Sequence, residues 1–587
     1  MNYTNEVIMN LNTKQITAMS VALTLLLSMI GCTGSSPQAT KDEEEKHIKK
    51  AQQLLVNEVQ QDQELAIGEA QQLISQPMPS QHFSRHKMAQ QMRIMPVSRP
   101  TPAISEKYQQ FDEHGVKQVS NAPLSTFSID VDTGSYANVR RFIDQGQLPP
   151  KDAVRVEEML NYFDYDQLAP KNNTQPFSVN TELMTAPWNS DRQLLKIGLK
   201  GYEIPKAQLG NANLVFLLDV SGSMNSPRKL PLLKRSLKML TKQLSNDDCV
   251  SIVVYAGAAG MVLKPTPGNE YSTISNALDK LNAGGSTNGG QGIELAYNLA
   301  SENFIKDGIN RVILATDGDF NVGLNDIEQL KELIKKKRKQ GIALTTLGFG
   351  QGNYNDHLME QIADVGNGNY AYIDNINEAR KVLVDELSST LKIIAHDVKI
   401  QVEFNPNLVS EYRLIGYENR ALANEDFNND KVDAGEIGAG HQVTALYELT
   451  LNNAQQSAVD SLKYQTPQIS ANDSFSDIAQ IKLRYKLPNQ QHSKLISQIV
   501  NKDQLDQTPS QHFKFATAVA AFSQSLRGAK YLKDYSIDDM IILAQENKGQ
   551  DNFGYRSEFI QMLRSAKNLE TQLTTAKDLS SNVQIIN

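Results

Sequence analysis

Asn213 to Met224 read NLVFLLDVSGSM, an unbroken apolar run from Leu214 to Leu218 that opens into a turn of Asp219, Ser221 and Ser223. The run lacks the polar alternation of a half-buried strand, so both of its faces must be covered, as in a parallel sheet between helical layers. A helical stretch with Lys234, Leu237 and Leu240 follows, which places the turn at the carboxyl end of a strand. Outward from it, CVSIVVYA, RVILATD, GIALTTLGFG and NYAYID repeat the strand pattern and alternate with amphipathic helices up to about Leu391. The spacing predicts a Rossmann-like, doubly wound α/β domain with a mostly parallel sheet. In such sheets the ligand crevice lies beyond the carboxyl ends of the strands, where strand order reverses.

Two more oxygen-rich loops are due at that edge: Gly284-Gly285-Ser286-Thr287-Asn288, ahead of a helix, and Thr316-Asp317-Gly318-Asp319, after RVILA. Asp219, Ser221, Ser223, Thr287 and Asp317 together supply two carboxylates and three hydroxyls, with no nitrogen or sulfur. Such hard donors suit Mg²⁺ first, with Mn²⁺ or Ca²⁺ as alternatives. Positions 219, 221 and 223 alternate in a tight turn and can point to one side, and Gly222 allows the bend. With so many neutral ligands a bound cation keeps positive charge toward solvent, where an acidic side chain of a protein partner could complete its shell.

DVSGS, GGSTN and ATDGD, in this order and framed by these strands, resemble the metal-ion-dependent adhesion site of the von Willebrand factor type A (vWA) domain. The resemblance spans roughly 213–391 and implies that Ser221, Ser223 and Thr287 bind the cation directly, and Asp219 and Asp317 directly or through water. The wider chain is similar to bacterial vWA lipoproteins of the YfbK type. It matches them at STFSIDVDTGSYANVRRF and LPPKDAVRVEEMLNYFDYD before the domain, and at NEDFNNDKVDAGEIGAGHQVTALYEL and DNFGYRSEFIQMLRSA after it. That family implies protein binding in the cell envelope.

At the N-terminus, ITAMSVALTLLLSMIG (16–31) follows Lys14; it is too short to span a bilayer and suits a signal-peptide core. It ends at Ser28-Met29-Ile30-Gly31-Cys32, which resembles the bacterial lipoprotein signal, with Cys32 as the lipid attachment residue and Met29 in place of the usual aliphatic residue. Thr33, rather than Asp, fits the family's outer-membrane sorting. Either Met1 or Met9 could be the start.

The organisation expected is therefore a signal peptide over 1–31, a Gln-, Lys-, Glu- and Pro-rich tether over 32–120, and an N-terminal β-rich region over 121–205. The vWA domain over 206–394, a C-terminal β region over 395–490 and a C-terminal helical region over 491–587 complete it. Because VKIQVEF, YRLIGYE, VTALYELTL and IAQIKLRYKL alternate like half-buried strands, the α/β unit is expected to be inserted into a β-sandwich built from both flanks.

Composition narrows the function. The 587 residues are 40% hydrophobic, enough for several cores, and carry a formal charge of −8, so no positive field draws in nucleic acid. Two cysteines, Cys32 and Cys249, exclude a disulfide framework, and nine scattered histidines offer no zinc spacing. Met78, His82, His86, Met88, Met92 and Met95 lack regular ligand spacing for copper. Asp132-Thr133-Gly134-Ser135 resembles half of an aspartic-protease site, but the second half is missing, and a strand ending in a polar turn reads better. AGGSTNGGQG lacks the Lys-Ser/Thr ending of a phosphate loop. Asp426, Asn428, Asp430 and Asp433 resemble a calcium loop, but Lys431 and Ile437 stand where glycine and glutamate belong. His357 and His441 have no nucleophile beside them, Cys249 reads as core, and Lys335–Lys339 as a solvated helix end.

The expectation is a lipid-anchored, non-enzymatic envelope protein, of the outer membrane by its signal, that binds an acidic group on a protein partner through the cation. No small-molecule substrate is evident. The different-class alternative is a structural or assembly protein whose metal only stabilises the fold.

Overall fold

The computed structural model describes residues 106–584, apart from 172–173, 206–207, 287–288, 319, 321–326, 353, 453, 455–456, 460–475 and 489. The signal segment, Cys32 and the Met/His cluster lie outside the described residues, and so does Thr287.

The N-terminal flank supplies strands β1 (Lys117–Gln118), β2 (Leu124–Ser128), β3 (Phe177–Ala186) and β4 (Asn189–Gly201). The central region supplies β5 (Ala212–Asp219), β6 (Cys249–Tyr255), β7 (Ala259–Pro267), β8 (Ile309–Thr316), β9 (Ala343–Phe349) and β10 (Tyr370–Ile373). The C-terminal flank adds β11 (Ile393–Phe404), β12 (Val409–Ile415), β13 (Ile437–Gly438), β14 (Gln442–Leu451), β15 (Asp477–Lys486) and β16 (Lys494–Asn501).

The central sheet runs β10-β9-β8-β5-β6-β7. All its pairings are parallel except β6 with β7. From β5 the chain moves first to β6 on one side and later to β8 on the other, so strand order reverses between β5 and β8. The unbroken apolar run of β5 has a direct cause. Leu214, Phe216 and Leu218 pack into one helical layer with Leu233, Leu237 and Ile274, while Val215 and Leu217 pack into the opposite one with Ile293, Ala296 and Tyr297. Each side chain so buried contributes roughly 1.5–3 kcal/mol. β7 carries Pro265 and Pro267 and exposes Met261 and Val262, as an edge strand can.

The two flanks interleave. One sheet runs β1-β12-β14-β4-β3, and in the other β11 pairs with β15, β2 and β13, while β16 pairs with β15. Phe127, Phe177 and Leu195 share one core with Ile400, Val443 and Ile481. The central α/β unit is thus an insertion in a sandwich to which both flanks contribute. Helices Gly134–Asp144, Val156–Asn161, Gln511–Arg527, Ile537–Glu546 and Tyr555–Gln584 form a further layer, whose core includes Leu194, Ile415 and Leu446 of the first sheet. No helix among the described residues is long and apolar enough to cross a membrane.

Two boundaries shift. Residues 106–120, assigned to the tether, join the folded body: Glu106 pairs with Arg141 at 2.6 Å, β1 pairs with β12, and Val119 is buried. Single polar contacts and a two-residue strand leave no periodicity to read. Lys494–Asn501, placed in the helical region, is the edge strand β16; its exposed Leu495 and Ile499 break the alternation that marks an inner strand.

Two buried arginines, Arg140 and Arg155, and the half-buried Arg420 bind the flanks to the central domain. Arg140 pairs with Asp374 at 2.5 Å and Glu378 at 2.7 Å. Arg155 pairs with Glu158 on its own helix and with Asp356 at 2.7 Å. Arg420 meets Asp130 at 3.1 Å, Glu360 at 3.0 Å and Asp364 at 2.6 Å.

Candidate metal centre

β5 and β8 are hydrogen-bonded neighbours, so Asp219 ends one strand and Asp317 follows the end of the next, at the reversal of strand order. Both are fully buried, whereas Ser221 is nearly so and Ser223 is exposed. The turn is fixed from within: Asp219 Oδ1 accepts the Ser221 N–H at 2.9 Å, and Asp219 Oδ2 accepts the Thr316 hydroxyl at 2.9 Å. Thr316 Oγ1 in turn accepts the Gly318 N–H at 3.2 Å. One carboxylate therefore ties the first loop to the third.

The second loop is stitched to the first by the backbone. The Gly222 N–H donates to the Gly285 carbonyl at 3.0 Å, and the Gly284 N–H to the Val220 carbonyl at 2.8 Å. Gly285 has φ +83°, and a Cβ there would stand 3.3 Å from the Gly257 nitrogen, so this approach needs glycine. Gly318 has φ +86° and lies against Tyr354 and Asn355. The structure thus brings Asp219, Ser221, Ser223 and Asp317 to one edge and carries the second loop there as far as Ser286. Burial raises the pKa of Asp219, and nearby Asp317 adds to the rise, against its hydrogen bonds from Ser221 and Thr316.

The donor set fits a small divalent cation. Ser221 Oγ and Ser223 Oγ are hydrogen-bonded to each other at 3.0 Å. Adjacent ligands of an octahedral Mg²⁺ with bonds of ~2.1 Å are also separated by about 3.0 Å.

One residue at this edge escaped the sequence reading. Lys229 is buried and its Nζ donates to Asp317 Oδ2 at 2.8 Å. A signal was present: Lys229 directly precedes the helix Leu230–Thr241, where the dipole disfavours a cation, and a lysine so placed asks for an anionic partner.

The rival motifs disperse. Asp132 is buried and accepts the Tyr370 N–H at 2.8 Å, a structural role; burial and Asp130 raise its pKa. In the calcium-like loop, Arg484 donates to Asn428 at 2.7 Å, Ser493 to Asp430 at 3.3 Å and Arg338 to Asp433 at 2.7 Å, so these side chains serve separate partners. His441 accepts the Gly438 N–H at 3.3 Å, and burial pushes its pKa down to about 3. His357 contacts Gln361 at 2.8 Å. Cys249 opens β6, half-buried.

A family model described as von Willebrand factor type A domain matches residues 213–385, one described as von Willebrand factor matches 102–196, and one described as uncharacterized protein YfbK, C-terminal, matches 389–569. The uncharacterized protein YfbK of Escherichia coli (strain K12) is 49% identical over 467 residues, which cover 78% of this chain and 81% of that protein. The chain belongs to the YfbK family. Among solved structures, a von Willebrand factor type A protein from Catenulispora acidiphila is 15% identical, with a TM-score of 0.37, over 68% of this chain and 92% of that one. Proximal thread matrix protein 1 from the mussel byssus, solved with a zinc-occupied MIDAS motif, is 26% identical, with a TM-score of 0.25, over 30% of this chain and 45% of that one. By its family model the central α/β unit of this YfbK-family chain is a vWA domain, a class that commonly mediates protein–protein interaction.

Proposed function

We propose that this protein is a binding module of the cell envelope, tethered by lipid at Cys32, whose vWA domain holds Mg²⁺ or Mn²⁺ and uses it to bind an acidic side chain of a protein partner. The observation that carries the reading is the meeting, at one sheet edge, of two hydrogen-bonded serine hydroxyls and two buried aspartates. Asp219, Ser221, Ser223 and Asp317, with Thr287 from the second loop, would hold the ion, which supplies a Lewis-acidic contact for a carboxylate. The chain's own contribution is to fix the hydroxyl edge through the Asp219 hydrogen bonds and to leave Ser223 at the surface, where a partner can approach.

The test uses immobilised wild-type and Asp219→Asn protein in solubilised envelope extract, with Mg²⁺ or EDTA, followed by crosslinking and mass spectrometry. Proteins captured by wild type in Mg²⁺ alone, with the melting temperature nearly unchanged by EDTA, support the reading. Capture indifferent to both changes refutes it, and a large fall in melting temperature with EDTA favours a structural metal instead. Cys32→Ser should move the protein out of the membrane fraction; retention there would remove the lipid anchor.

A further inference from the structure

Lys229 is bound into the cation site too closely to be a bystander. Its side chain is 9% exposed, and a buried ammonium is costly unless an anion meets it, which Asp317 Oδ2 does at 2.8 Å. The route of its stem is also prepared. A Cβ on Gly350 would lie 2.3 Å from Lys229 Cε and 2.5 Å from Cγ, so the chain runs through the space that this glycine leaves open. Gly350 itself has φ +80°, and its carbonyl accepts the Tyr372 hydroxyl, which fixes that wall. The ammonium cannot swing away without leaving this slot. Helix capping does not explain its position, because a cation at that end opposes the helix dipole.

Charge then decides the consequence. Asp219 and Asp317 bring two negative charges to the donor set, and Lys229 cancels one of them. A divalent ion entering beside Ser221 and Ser223 must share Asp317 with an ammonium of the same sign. The two positive charges repel across a largely buried edge, where solvent screens them weakly.

We propose that Lys229 is a built-in counter-cation that holds down the affinity of this site for its divalent metal. The inference rests on the cation reading given above and adds a regulator to it. Without Lys229 the aspartate pair offers its full charge, and the metal binds more tightly. With it, occupancy of the site stays responsive to the surrounding metal concentration.

The experiment is calorimetric titration of Mg²⁺, and separately Mn²⁺, into metal-stripped full-length protein in detergent, as wild type, Lys229→Met, Lys229→Gln and Lys229→Arg. Methionine keeps an apolar stem over Gly350 without the charge. Glutamine keeps a donor near Asp317, and arginine keeps the charge. Circular dichroism and melting curves establish which variants are folded. Affinity at least about tenfold tighter in the methionine or glutamine variant, and near wild type in the arginine variant, is the expected result. Equal or weaker binding in the folded uncharged variants overturns the proposal and makes Lys229 a positioning residue for Asp317. Absence of heat from every protein, wild type included, sinks the cation reading itself, and this inference with it.

Discussion

Replacing Arg155 by methionine is predicted to loosen the joint between the N-terminal flank and the vWA domain by about 3–5 kcal/mol, the usual cost of stranding buried charge. Arg155 is 1% exposed and its partners Glu158 and Asp356 are fully buried, so water cannot replace the guanidinium. The carboxylates would keep some support: Ser135 N–H still donates to Glu158 at 2.7 Å, and the Tyr370 hydroxyl to Asp356 at 2.5 Å. These bonds place the loss within that range, not above it. Urea unfolding followed by circular dichroism and by the fluorescence of Trp188, the single tryptophan, reads the whole chain and the sandwich–helix core separately. With a slope of ~3 kcal/mol per molar or more, the midpoint should fall by roughly 1 M. The deficit should shrink at pH 5.5, because burial raises the pKa of Glu158 and protonation relieves that stranded carboxylate. A midpoint unmoved at pH 8 would refute the claim that this ion pair holds the two regions together.

Asp219→Asn should fold normally, since its amide can accept from Ser221 and donate to Thr316, yet lose at least ~100-fold in Mg²⁺ affinity by calorimetry; wild-type affinity would contradict the assignment. Glu360 has its pKa raised by burial to about 7, against Arg155 and Arg420, so the folded state prefers its protonated form. Its contribution to stability is then full below about pH 4.5, the ordinary glutamate range, and is lost as pH rises through 7. Melting temperatures of Glu360→Gln should accordingly vary less between pH 5 and 8 than those of wild type, and parallel curves would count against this. Gly318→Ala should cost about 2–4 kcal/mol in chemical denaturation, because a Cβ there would lie 2.5 Å from the Tyr354 ring at φ +86°; an unchanged midpoint would show that the loop is free to yield.

The parts of this molecule that were legible in sequence are those whose physics is local. β5 could be read because its neighbours cover it on both faces, and Asp219, Ser221 and Ser223 because one turn holds all three. β7 was not legible, because two prolines and an exposed Met261-Val262 pair disguise an edge strand. β16 lost its alternation to Leu495 and Ile499 for the same reason. The joint between the regions draws Asp130, Arg155, Glu360 and Arg420 from distant segments, and no spacing along the chain encodes that meeting. Lys229 lay between the two: its helix-end position was visible, but its partner arrives 88 residues later.

Crystals of the protein soaked in Mn²⁺, with anomalous data collected at the manganese edge, would locate the cation itself. A single strong peak is expected at the Ser221–Ser223 edge beside Asp219 and Asp317, removed in Asp219→Ala. A well-ordered edge with no peak, in wild type at millimolar Mn²⁺, would contradict the cation reading.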